Sequence, residues 1–172
     1  VESGAQDVAV DLQVPPGVHS HKVRVVNDLM LVNWEAPPPY KLEAGFRGGL
    51  GIYDVSKPAE PRQITFWPTA GAGVHRYDFD GRYAYISPEV EGYLGNIVMI
   101  LDLQNPSRPE EVGRWWMPGQ WTAGGETPTW GYRETWCHHP LRLGNRLYVG
   151  YWHAGFVILD IDDMRKPHMV SR

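Results

Sequence analysis

The sequence holds one cysteine, Cys137, so no disulfide can close within the chain and the redox compartment stays open. No apolar stretch approaches the ~20 residues that cross a bilayer as a helix, which excludes a membrane span of that kind. Charge is sparse, with charged residues at 21%, and its balance is slightly negative at -4. That balance argues against nucleic acid as a partner. Four sequence signatures are also missing: the GxSxG elbow, HExxH, the P-loop and a paired CxxC. The glycine-rich run from Gly45 to Gly51 precedes a strand and not a helix, so it reads as a hairpin connection and not a phosphate cradle.

What is present is turn chemistry and alternation. Gly 19 and Pro 15 are high for 172 residues, and that length suits one ordinary domain. From Trp136 to Ile161 apolar residues alternate around a Gly144-Asn145 turn and end in the run Phe156 to Leu159, closed by Asp160. Period-2 alternation broken by such turns predicts a β-meander. The unit recurs twice upstream. His21 to Leu29, His75 to Tyr83 and His139 to Leu147 are each eight residues apart, and Asp54, Asp102 and Asp160 each stand seven residues before a proline. Four strands per unit predict an all-β fold of three four-stranded β-propeller blades. The boundaries read as an orphan outer strand at 1–16, blades at 17–67 and 73–116, and an incomplete blade at 136–172.

The segments GLGIYDVSKPAEP, NIVMILDLQNPSRP and GFVILDIDDMRKP resemble the LVIVD-repeat propellers, whose blades carry an apolar run, an aspartate, an apolar residue and prolines shortly after. The resemblance covers most of residues 17–172; the third copy departs from it with Met164 where the others have Pro58 and Pro106. It implies architecture and no particular activity. Three blades do not close a ring, so they are expected to form part of a six- or seven-bladed one, completed by another copy or another chain.

In such a blade the first strand is innermost. This puts His21, His75 and His139 at the mouth of the central channel, with the long loops 34–49, 68–73, 87–96 and 117–136 on the same face. Converging imidazoles suit a transition metal, Fe, Cu, Mn or Zn, with His19 and His138 as further ligands. The residues equally allow histidines packed between blades, each bonded to a neighbouring backbone. His153, Glu89 and Glu134 are candidate proton carriers, and Trp121, Trp130, Tyr132, Arg133 and Trp152 candidate substrate contacts. Glu35, Glu43, Glu91 and Glu126 share the mouth without an assigned role, and Asp54, Asp102 and Asp160 read as turn caps. Cys137 reads as a buried inert thiol before it reads as a nucleophile. Two functions follow. One is a metal-dependent lyase, hydrolase or oxidoreductase acting on a small aromatic or carboxylated molecule. The other is a non-catalytic scaffold that binds a protein through its aromatic loops.

Overall fold

The computed structural model describes residues 14–130 and 135–172. The orphan strand expected within 1–16 lies almost wholly outside the described residues. Among the described residues twelve strands follow one another in chain order: β1 (Val23–Val26), β2 (Leu29–Trp34), β3 (Gly49–Asp54), β4 (Arg62–Pro68), β5 (Ala70–Phe79), β6 (Tyr83–Glu89), β7 (Val98–Asp102), β8 (Glu110–Trp115), β9 (Cys137–Leu143), β10 (Arg146–Tyr151), β11 (Gly155–Asp160) and β12 (His168–Ser171). They form three four-stranded antiparallel sheets, β1 to β4, β5 to β8 and β9 to β12, each a simple meander. These are the propeller blades that the alternation predicts. Among the described residues no helix is long and apolar enough to cross a membrane.

The corners after the three third strands share one cause. Asp54, Asp102 and Asp160 end the third strand of their sheets, and one carboxylate oxygen of each accepts the amide two residues on, at 2.9, 2.7 and 2.8 Å. The second oxygen pairs with an arginine of the same sheet, Arg62, Arg82 or Arg146. Such Asx turns fix where the third strand stops. The apolar runs of the middle sheet are buried on both faces. Ala84, Ile86, Met99 and Leu101 pack against Leu31, Leu50 and Ile52 of the first sheet. Tyr85, Val98 and Ile100 pack against Leu147, Val149 and Leu159 of the third. Burial on two sides explains why this blade reads as VMIL and not as strict alternation. Val23 and Val25, on the far face of the first sheet, and Leu143 and Phe156, on the far face of the third, are exposed.

Candidate functional site

All three innermost strands carry the same irregularity. Between the pairs His19–Glu35 and Val23–Val32, residues 20–22 of the first strand face only 33 and 34. Between Val74–Pro88 and Tyr77–Ile86, His75 and Arg76 face only Ser87. Between Cys137–Tyr151 and His139–Gly150, His138 faces nothing. Each is a one-residue bulge, a device that re-aims a side chain. A histidine occupies every bulge: His21, His75 and His138. Each lies five residues before the last paired residue of its hairpin, namely Val26, Asp80 and Leu143.

The equivalent of His21 and His75 is therefore His138 and not His139. The eight-residue spacing measured from Leu147 is one residue out, because the two-residue Gly144-Asn145 turn brings Arg146, not Leu147, opposite Asp160. His139 turns away from the other rings and its Nε2 donates to the Tyr77 carbonyl at 3.2 Å. That is the packed, backbone-bonded arrangement which the sequence also allowed.

Two side chains clasp neighbouring blades at this level. Asn33 Nδ2 donates to the Val74 carbonyl at 3.1 Å, and Ser87 Oγ to the Cys137 carbonyl at 2.7 Å. Both carbonyls immediately precede a bulge histidine. Asn33 Oδ1 also accepts the amides of His21 and Lys22, at 3.1 and 2.9 Å. The second strand of one blade thus orients the histidines of two.

Glu35 is the residue that the sequence left without a role. It is 5% exposed, and its backbone bridges His19 on one side and Gly73 of the next blade on the other. Its carboxylate accepts His75 Nδ1–H at 2.7 Å and lies 3.7 Å from His21 Nδ1. One donor atom each from His21, Glu35 and His75 falls within 4.8 Å of the others. His19 stacks on His21 with ring centroids 4.8 Å apart, and the His138 ring is 5.0 Å from that of His75. Burial lowers the His21 and His139 pKa values. It also lowers that of His138, to about 4, with the neighbouring His75 and Arg76 adding to the effect. The lowered values favour the uncharged ring, which at His21 and His138 leaves a lone pair for a cation.

A cavity of about 310 Å³ opens beside His75. Tyr40, Trp136 and Trp152 give its aromatic walls, and Glu35, Glu89, His75 and Asn96 its polar groups. Glu89 and Trp152 are among the residues expected here; Tyr40 and Trp136 join them. Tyr40 adopts a left-handed backbone conformation, φ 62°, uncommon for a side chain of its size and frequent where a loop presents a residue to a site.

Trp121 and Trp130 do not line the cavity. Trp121 packs with Trp116 and Tyr93, and Trp130 Nε1 donates to the Pro118 carbonyl at 3.0 Å. Glu126 accepts the Gly119 and Trp121 amides and so folds that loop upon itself. His153 is exposed in a turn. The candidates Tyr132, Arg133 and Glu134 lie outside the described residues.

Cys137 also borders the cavity, yet burial pushes its thiol up to about 12. At pH 8 the thiolate fraction is then about a thousandfold below that of an ordinary thiol. An aromatic disulfide reagent should leave native protein unmodified and titrate one thiol on unfolding; fast reaction of native protein would contradict this burial.

A family model described as the LVIVD repeat matches residues 79–116 and 143–172, the last three strands of the second and third blades with their hairpin turns. No curated protein matches the chain.

Proposed function

We propose, from the premise that this chain carries LVIVD repeats and is built of propeller blades, that the histidine cluster at its mouth binds a transition metal. The observation that carries this reading is the triad His21, Glu35 and His75, drawn from two blades and centred on the buried Glu35. Its donor set of two imidazoles and a carboxylate suits Fe, Mn, Zn or Cu. The high thiol pKa leaves Cys137 out of that set. His138 stands next to His75 as a further nitrogen donor. A metal held there supplies a Lewis acid or a redox centre to a molecule in the adjoining cavity.

The protein's own residues have definite tasks. Glu35 lowers the cost of gathering a cation among neutral rings, because its charge lies inside the cluster. Asn33 and Ser87 hold the backbone carbonyls ahead of His75 and His138, so ring positions do not depend on the mouth loops. Glu89, at the cavity wall, is placed to exchange a proton with a bound molecule. Tyr40, Trp136 and Trp152 wall one side.

The test is metal content by mass spectrometry after reconstitution with each candidate ion. About one metal per chain is expected for the native protein. His75→Ala should lose it, and Glu35→Gln should weaken binding by about 10- to 100-fold. A well-folded protein that takes up none of these ions overturns the reading and leaves a binding scaffold. His139→Gln serves as the comparison, since His139 points to the Tyr77 carbonyl and should leave metal content unchanged.

A further inference from the structure

The cavity beside the histidines has a charge sign, and that sign selects a ligand. Two carboxylates line it, from Glu35 and Glu89, and no lysine or arginine does among the described residues. Arg47 stacks over Phe66, 5.1 Å from the ring centroid, in a different hollow. The Tyr40 phenol is pushed above its usual pKa by burial and by both carboxylates, so the two charges act together at that wall.

Glu89 is held firmly. Its Oε2 accepts the Ala72 amide at 2.8 Å. Gly71, at φ +54°, passes so close to this carboxylate that a β-carbon there would collide with it. Oε1 has no hydrogen-bond partner among the described residues. His75 Nε2, on another side chain lining the cavity, is buried and likewise without one. A fixed carboxylate oxygen beside three aromatic rings is the chemistry that recognises an organic ammonium group, through a charged hydrogen bond and cation–π contact.

We infer that the cavity takes a flat aromatic molecule bearing a primary amine, with the ammonium group on Glu89 and the ring among Tyr40, Trp136 and Trp152. This rests on the reading of the cavity as the substrate side of the metal cluster, and it replaces the expectation of a carboxylated ligand. The volume, at the low end for small-molecule pockets, admits a single ring with a short chain.

The test titrates three probes of one shape, 2-phenylethylamine, 2-phenylethanol and 3-phenylpropionate, by tryptophan fluorescence and calorimetry. Each is run on chelator-treated protein and on protein reconstituted with metal, with metal content measured on the same samples. The amine should bind about tenfold or more tighter than the alcohol, and the acid weakest of all. Glu89→Gln keeps an acceptor for the Ala72 amide and removes the charge. It should bring the amine down to the affinity of the alcohol. The inference is overturned if the acid matches the amine, if the preference survives Glu89→Gln, or if no probe binds. Because the preference is expected in metal-free protein too, absence of metal and absence of amine selectivity are separate results.

Discussion

Replacing Asn33 by alanine should lower stability by about 3 kcal/mol, a large share of what a domain of this size possesses. The residue is fully buried and occupies the seam between the first two blades. Its Oδ1 takes the two amides that the bulge removes from the strand ladder, and its Nδ2 takes the Val74 carbonyl. Alanine leaves three backbone groups without these partners. Each costs about 1–3 kcal/mol where water cannot reach it, with partial relief at the half-exposed His21 end. Ser87→Ala breaks a single equivalent bond and should cost about 1 kcal/mol. Denaturant midpoints at unchanged slope measure both, and equal losses for the two variants would refute the argument. Asn33→Ala should also weaken metal uptake, since His21 and His75 both take their backbone placement from that side chain.

Gly73→Ala should be as damaging, by about 3 kcal/mol or more, for a reason of space and not of lost bonds. Gly73 sits at φ +101°, where an L side chain is strained. The added β-carbon would overlap the Trp34 carbonyl oxygen and fall 2.9 Å from Gly48 Cα and 3.2 Å from Glu35 Cα. All three are backbone, so relief means parting the bridge between Glu35 and Gly73 that joins two blades. Gly144→Ala is the control. It too has positive φ, +58°, but nothing stands within 4 Å, so only the conformational cost of about 1 kcal/mol remains. If both alanines cost the same, close approach is not what Gly73 is for. Because the strand that moves carries Glu35, the Gly73 variant should lose the metal before it loses the fold as mild denaturant is added.

The meander was legible because its signals are local: alternating side chains, a glycine or asparagine at each hairpin, an aspartate at each corner. The bulges were not, since a histidine in an alternating run does not by itself signal one, and a count from Leu147, one residue late, puts His139 where His138 belongs. Glu35 could be read as one of several loop glutamates; what buries it is a bridge to Gly73, 38 residues away in sequence. The tryptophans show the limit from the other side. Trp121 and Trp152 look alike in the sequence, and Glu126, by folding the loop around itself, separates them. Cys137 stands between Trp136 and His138, at the edge of the cluster, and burial alone makes it inert.

The bulge also changes how such a site tolerates evolutionary change. Each histidine has an address counted from its own hairpin turn, five residues back along one strand. Insertions in the connections 36–48, 90–96 or 117–136 leave that address untouched, so the loops are free to diversify around a fixed constellation. A single residue gained or lost in the hairpin is different. It turns the inner strand over: a gain presents Lys22, Arg76 or His139 where a bulge histidine had been, and a loss presents Ser20, Val74 or Cys137, exchanging one chemistry for another in one step.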